Sequence, residues 1–341
     1  MLVTIGITTY RRLTYLQEAV DSALAQSFDD YEILISQNPH PDSEVRERVQ
    51  EWCLDQVDRN PKIRYQLNEE NLGVSGNMNA IADAARGEFL IFIGDDDRLL
   101  PDGLAHLAAN VSDDVDIVFA NHKVIDDSGS EDVQLTTDME ARFGRANLTP
   151  GPLSSEQAEH AVWCASVAIA ASLTRADVFR RYRLRTHLTK GDTELYIRMA
   201  SDDIRFLFCK EQVSEIRYHD DRATTSMVGF GDLVLSLLDI RYRPNVETRR
   251  RAALSEMTRQ GVTDLLLHGR VAESRQLMST GYFRRSGIKN ILQVFCGQLL
   301  PPSIGVPLFR WVYRAYKGVD LTELSRLGHE TLSDPVHQQA G

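Results

Sequence analysis

The chain's 341 residues are enough to bury a sizeable core, as one large α/β domain or as a main domain with a helical appendage. A formal net charge of −11 argues against nucleic acid as the main partner, and Cys53, Cys164, Cys209 and Cys296 are too scattered for a disulfide framework or a structural zinc site. No secretory signal opens the sequence and no stretch reaches the roughly 20 apolar residues of a membrane-spanning helix, so the expectation is a protein made and kept in the cytosol.

Residues 3–7 predict a strand, after which Leu13, Leu16, Val20, Ala23 and Leu24 fall on one face of a helix. A second strand is expected over 32–36. Pro39 and Pro41 then break the chain before a polar helix over 43–57 and a third strand over 63–67. Residues 71–76 read as a loop, 77–85 as a helix stopped by Gly87, and 89–93 as a buried strand. A helix from about Asp102 leads to a strand at 116–120. This rhythm implies a largely parallel sheet covered on both faces. Residues 126–160 are polar, with turn signals at Asp126-Asp127-Ser128-Gly129 and Pro150-Gly151-Pro152, and predict a long loop region. Strands at 167–173 and 204–209 flank a helix that begins near Asp192; beyond Gly229 the pattern is helical, and the last dozen residues read as disordered.

Gly94-Asp95-Asp96-Asp97 closes the apolar run 89–93. Three consecutive carboxylates repel one another unless a cation sits among them, and hard oxygen ligands at a strand end suit Mg²⁺ or Mn²⁺ with the diphosphate it carries. In isolation the triplet reads more readily as solvated loop charge, and its context reverses that balance. In an open parallel sheet, ligands bind at the C-terminal strand ends, where Thr8-Thr9-Tyr10, Gln37-Asn38 and the acidic run are expected.

A strand ending in Thr9-Tyr10 is followed by YEILISQN, NLGVSGNMNA, GEFLIFIGDDDRLLP and GDTELYIRMA. In this order the chain resembles the inverting family 2 glycosyltransferases of GT-A fold over residues 1–225. The resemblance implies an α/β GT-A domain over residues 1–228, a mostly parallel nucleotide-binding sheet flanked by helices; the residue pattern beyond it gives a helical C-terminal region over 229–325 and a disordered tail over 326–341. The resemblance further implies transfer of a sugar from a nucleoside-diphosphate sugar to a hydroxyl of a glycan or lipid-linked acceptor in surface polysaccharide biosynthesis, with Mg²⁺ or Mn²⁺.

Residue by residue, the resemblance implies Asp96 as the first metal ligand, with Asp95 and Asp97 assisting; the family's usual Asp-x-Asp-Asp has Gly94 in its first place here. His219, in Arg217-Tyr218-His219, is implied to reach the metal or diphosphate, although a lone His is as readily a structural residue. Asp192 aligns with the catalytic base of a Glu-Asp-x-Glu-Leu type motif, with Gly191 where Glu is common. On spacing alone it is equally a helix N-terminal Asp favoured by the macrodipole. Thr8, Thr9 and Tyr10 correspond to the first nucleotide-contacting turn. Gln37, beside Asn38, stands where an Asp is common, which leaves the donor base open. Asn71, Gly73 and Asn79 match the loop near base and ribose, and Gly73 by itself predicts a turn with φ > 0. Trp163 lies in the region the family uses for acceptors, where core packing is its alternative role.

Two other readings stay open on sequence. A sugar nucleotidyltransferase also joins such a sheet to Mg²⁺ carboxylates, but begins with a Gly-rich phosphate loop where this chain has Thr8-Thr9-Tyr10-Arg11-Arg12. A non-catalytic nucleotide-sugar-binding module is favoured by Gln37, Gly94 and Gly191 and opposed by Asp96 and Asp192.

Charge is unevenly placed: residues 241–320 hold 14 Lys and Arg against 5 Asp and Glu. Leu308, Trp311, Val312 and Ala315 recur on one face of a helix, with Arg310, Arg314 and Lys317 on another. Residues 288–300 are apolar but too short to span a bilayer, and Pro301-Pro302 interrupts them. The region is expected either to dock peripherally on an anionic membrane, the inner face of the cell membrane, or to pack on the main domain or a second copy in a homodimer; the basic excess favours the membrane.

Overall fold

The computed structural model describes residues 1–188, 190–218, 229–285 and 287–317. The expectations for His219 and for the 326–341 tail therefore lie outside the described residues. The chain divides into two compact units, Met1–Thr186 with Leu195–Asp220 and Arg241–Val246, and His187–Glu194 with Asp221–Ile240 and Glu247–Gly341.

The first unit begins β1 (Val3–Thr9), α1 (Leu13–Leu24), β2 (Tyr31–Gln37), α2 (Ser43–Arg59), β3 (Ile63–Leu67), α3 (Gly73–Ala84) and β4 (Phe89–Gly94). It continues with β5 (Arg98–Leu99), α4 (Gly103–Ala108), β6 (Ile117–Ile125), α5 (Val133–Arg142), β7 (Gly151–Pro152) and α6 (Ser155–Trp163). Then follow β8 (Ser172–Arg175), α7 (Ala176–Tyr182), α8 (Gly191–Ser201), whose first turn belongs to the second unit, and β9 (Phe206–Arg217).

These strands form one nine-stranded sheet of order β3-β2-β1-β4-β8-β6-β9-β5, with β7 paired to β9. The pairs β1 with β2, β1 with β4 and β2 with β3 are parallel, as the strand and helix rhythm implies. One face buries Val3, Ile5, Ile7, Ile33, Ile35, Ile91 and Ile93 against Leu16, Ala19 and Val20 of α1. Each such side chain contributes roughly 1.5–3 kcal/mol on full burial. Toward the far end, Phe119 lies 5.2 Å from Phe208, and Tyr196 meets the edge of Phe206 at 6.4 Å. Gly6 lets α3 close onto β1, since a Cβ there would stand 2.6 Å from Ile81 Cγ2.

Three segments differ from their sequence reading. Residues 71–76 are helical from Gly73 onward. Within 126–160, the expected long loop contains α5 and α6. Asp132 caps α5 by accepting from Leu135 N at 2.9 Å, and Ser154 with Gln157 forms a capping box on α6. Only Thr136 of α5 is buried, so its composition is polar throughout, while α6 starts polar and buries Ala158, Glu159, Ala161, Val162 and Trp163 along its second half. Residues 167–173 supply only the start of β8, and β6 and β9 run further than their apolar cores suggested, across a register shift between Ala120 and His122.

In the second unit α9 (Phe230–Leu238), α10 (Glu247–Leu267), α11 (Val271–Ser279) and α12 (Ile288–Val294) lead through a π-helical turn over Phe295–Leu299 to α13 (Pro302–Lys317). No strand follows β9 among the described residues. Gly261 brings α10 against α9, for a Cβ there would lie 3.2 Å from Gly231 Cα, and Asp264 Oδ2 accepts from Gly231 N at 3.0 Å.

Candidate active site

Parallel register sets the site. Thr8 is level with Ser36 and Gly94, and Thr9 with Gln37, so the ends of β1, β2 and β4 leave the sheet side by side. Thr9 O accepts from Asn38 N at 3.0 Å.

The acidic run turns sharply off β4, and its three carboxylates part company. Asp95 is buried, accepts from Thr9 Oγ1 at 2.9 Å, and has Arg12 Nη1 at 3.5 Å from Oδ1. Burial, then the charge of Asp96, raises the Asp95 carboxyl above its ordinary range, against the pull of Arg12 and Thr9. Asp97 faces inward, where it accepts from Arg217 N at 3.1 Å and Gly94 N at 3.4 Å. It too is pushed upward, first by burial and then by Asp96. Asp96 retains some exposure, at 17 %, and its Oδ2 is bound by Arg12. A Cβ at position 94 would stand 2.5 Å from Asp96 Oδ1. Gly94 leaves open the space over the strand end that Asp96 Oδ1 occupies.

Arg217 clamps this turn from beneath. It is buried, gives Nε to Asp96 O at 3.0 Å, Nη1 to Asp126 O and Asp127 O at 2.9 and 3.1 Å, and Nη2 to Glu18 at 2.6 Å, with the Tyr15 ring 4.5 Å from its guanidinium carbon. Arg12 and Glu18 carry much of the site's charge balance and were not singled out from sequence. Their only signal is position: two residues of opposite sign within the first turn and a half after β1.

The other half of the site is an amide network. Asn38 gives Nδ2 to Gly73 O at 3.2 Å, while its Oδ1 accepts from Asn68 Nδ2 at 2.9 Å and Leu72 N at 3.2 Å. Asn71 Oδ1 accepts from Gly73 N at 3.0 Å, and Gly73 has φ +66° with nothing within 4 Å of where a Cβ would stand. Asn68 and buried Asn77, also missed from sequence, link this turn to Ser36. Tyr10 and His40 lie ring to ring at 4.8 Å.

Two expected nucleotide residues are engaged inside the protein. Gln37 is fully buried, giving Nε2 to Arg46 O at 3.1 Å and accepting from Tyr65 OH at 2.7 Å. Asn79 exchanges both its amide bonds with the Leu184 backbone, at 2.8 and 3.0 Å. Trp163 is 1 % exposed, a core position. Asp192 sits in the first turn of α8, within the second unit, and burial raises its carboxyl against the pull of the Thr193 N–H and the Lys190 charge. Glu194 beside it is fully buried.

Among the described residues no group of three or more His, Cys, Asp or Glu is disposed to hold a metal ion. Mg²⁺ or Mn²⁺ that arrives on a diphosphate needs only one or two carboxylates. Asp96, partly exposed and held at Oδ2 by Arg12, fits that requirement; Asp95 is buried and bonded to Thr9, and Asp97 accepts from two backbone N–H groups.

Residues 4–187 match the sequence profile described as Glycosyl transferase family 2. The chain belongs to this family. Similar curated proteins include the GalNAc(5)-diNAcBac-PP-undecaprenol beta-1,3-glucosyltransferase of Campylobacter jejuni, 32% identical over 120 residues, covering 35% of this chain and 37% of that protein. The abequosyltransferase RfbV of Salmonella typhimurium is 34% identical over 125 residues, 36% of each. The chain thus spans little more than a third of the length of either. Among solved structures, S. aureus TarS 1-349 in complex with UDP-GlcNAc superposes with a TM-score of 0.59 at 13% identity, over 93% of this chain and 92% of that one. The mannosyltransferase PcManGT of Pyrobaculum calidifontis, in complex with GDP-Man and Mn2+, gives 0.54 at 13% identity over 96% and 84%. The fold is therefore the GT-A fold expected from the motif order.

Proposed function

We propose that this family 2 member is an inverting glycosyltransferase that moves a sugar from a nucleoside-diphosphate sugar to a hydroxyl of a glycan or lipid-linked saccharide during surface polysaccharide assembly. The observation that carries the reading is the side-by-side exit of β1, β2 and β4 with Asp96 held at the lip of the turn. The relatives' own names, a glucosyltransferase acting on an undecaprenol-linked glycan and an abequosyltransferase, support the acceptor class.

In this reading the Asn38, Asn71 and Gly73 turn borders the nucleotide, Tyr10 borders the base, and Asp96 would hold Mg²⁺ or Mn²⁺ with the diphosphate. When bound, the cation neutralises charge that develops on the leaving nucleoside diphosphate. Arg12 is the chain's own contribution to that neutralisation, and Arg217 with Asp97 keeps the turn in place for it. Asp192 takes the proton of the acceptor hydroxyl as its oxygen bonds to the anomeric carbon, while the bond from that carbon to the diphosphate oxygen breaks. Its raised carboxyl is a better proton acceptor than an ordinary aspartate. The chain is read as acting at the cytosolic side of the cell membrane.

A panel of nucleotide sugars, screened first for protection against thermal unfolding and then for release of nucleoside diphosphate, tests the reading. Release of inorganic diphosphate instead indicates a nucleotidyltransferase, and protection without turnover indicates a binding module.

A further inference from the structure

Five of the eleven exposed large apolar side chains among the described residues fall within residues 291–311 of the second unit. Ile291, Phe295 and Leu299, at four-residue spacing, are 58 %, 44 % and 69 % exposed. Ile304 and Trp311 are 55 % and 67 % exposed, with half-buried Leu308 between them on the same face of α13. The opposite face of α13 is already occupied by the buried Val306 and Phe309. Apolar on both sides, the helix shows water a ridge that its own packing does not require. The two helical segments meet where Gly305 lies against Cys296 O.

The charge around these ridges is of one sign. From residue 274 to residue 319 there is no Asp or Glu, while Arg275, Arg284, Arg285, Lys289, Arg310, Arg314 and Lys317 are present. Arg275 and Arg310 each bond a backbone carbonyl, of Gly297 and Leu267. Arg284, Arg285, Lys289 and Arg314 are exposed. In a chain of net charge −11, a segment of this composition is selective about what it can touch.

We propose that the exposed ridges of α12, its π-helical turn and α13 form a surface that docks on an anionic lipid membrane. Leucine, isoleucine, phenylalanine and tryptophan side chains rimmed by arginine and lysine suit the boundary between headgroups and acyl chains. A second copy of this chain is the poorer occupant, because a two-fold interface sets the same basic segment against itself. No described helix is long and apolar enough to cross a membrane, so the contact is peripheral. The surface is built from other elements than the transferase site, and its test needs neither donor nor acceptor, so either reading can fail alone.

The test is co-sedimentation of the full chain with vesicles of phosphatidylglycerol and phosphatidylcholine in equal parts, and with vesicles of phosphatidylcholine alone, at low and high salt. The wild type is expected to pellet with the anionic vesicles at low salt and to be released by salt. Leu299→Glu with Trp311→Glu, both far out in solvent, should keep the wild-type melting temperature and lose at least about tenfold in vesicle partitioning. Arg284→Gln with Arg314→Gln should weaken binding to anionic vesicles only. A wild type that stays in the supernatant, equal binding to neutral vesicles, or undiminished binding by Leu299→Glu with Trp311→Glu overturns the proposal. So does a dimer in solution that this pair of substitutions dissociates while vesicle binding is absent.

Discussion

The backbone N–H of Arg217 donates to Asp97 Oδ1 at 3.1 Å, joining the end of β9 to a turn 120 residues earlier in the chain. The same residue's guanidinium bonds Asp96 O, so one arginine fixes both the carbonyl and the carboxylate side of the acidic turn.

Asp97→Ala should therefore destabilise the protein by about 1–3 kcal/mol, the cost of leaving the buried N–H groups of Arg217 and Gly94 unpaired. Asp97→Asn keeps one of the two acceptor oxygens, enough for the shorter bond from Arg217 N, and should fall between the alanine variant and the wild type. Thermal and denaturant unfolding compare the three; equal stability of the alanine variant means the turn does not depend on this bond.

Arg12 neutralises the Asp95 and Asp96 carboxylates in place of a cation. Arg12→Met should cost about 1 kcal/mol in the absence of divalent ions. The variant's melting temperature should then rise more on addition of Mn²⁺ than the wild type's, because the ion relieves a repulsion that Arg12 otherwise relieves. Identical Mn²⁺ shifts in the two proteins contradict this role.

Replacing Asp192 by Asn removes the proton acceptor and preserves shape. Transfer should fall by about two to four orders of magnitude while donor affinity, measured by calorimetry, is retained. Loss of donor binding in step with rate makes Asp192 a nucleotide-site or structural residue instead.

The pH profile offers an independent check on the same residue. Burial lifts the Asp192 carboxyl above the usual 3.8, and a base works only when ionised. The rate should fall with decreasing pH, with a midpoint above 3.8, and this acid limb should be absent from the residual activity of Asp192→Asn. An acid limb unchanged in the variant assigns it to another group.

Much of this was legible in the sequence, for reasons that differ by element. The runs at 3–7, 32–36 and 89–93 are buried on both faces, and such strands show as near-continuous apolar segments bounded by turn residues, whereas 63–67 at the sheet edge is mostly half-buried and shows instead by its alternation of apolar and polar residues. The acidic triplet and the Asn71-Leu72-Gly73 turn were readable because the residue types themselves are unusual at a strand end. Direction is what sequence withholds. Gln37 ends β2 and Asn38 follows it directly, yet Gln37 points to Tyr65 and Arg46 while Asn38 holds the Gly73 turn, a divergence that only the register of the strand end reveals. Asn79 is captured by the Leu184 backbone, a contact across 105 residues that no local pattern announces. The same holds for Glu18 with Arg217, whose side chains pair across 199 residues. The face of Leu308, Trp311, Val312 and Ala315 on α13 was visible in its spacing; the structure adds Ile304 to it as an exposed ridge with Trp311 and anchors the helix through Val306 and Phe309 on the opposite face.

The proposed reaction is sugar transfer from a nucleoside-diphosphate sugar at the Asp96 turn with a divalent cation. Its most direct test is nucleoside diphosphate release from the preferred donor by wild type and Asp96→Ala, each in Mn²⁺ and in excess chelator, with thermal unfolding as the control for folding. Acceptor-dependent release is expected only from wild type in Mn²⁺, with Asp96→Ala as stable as wild type but inactive. Full release in chelator, or by Asp96→Ala, contradicts it.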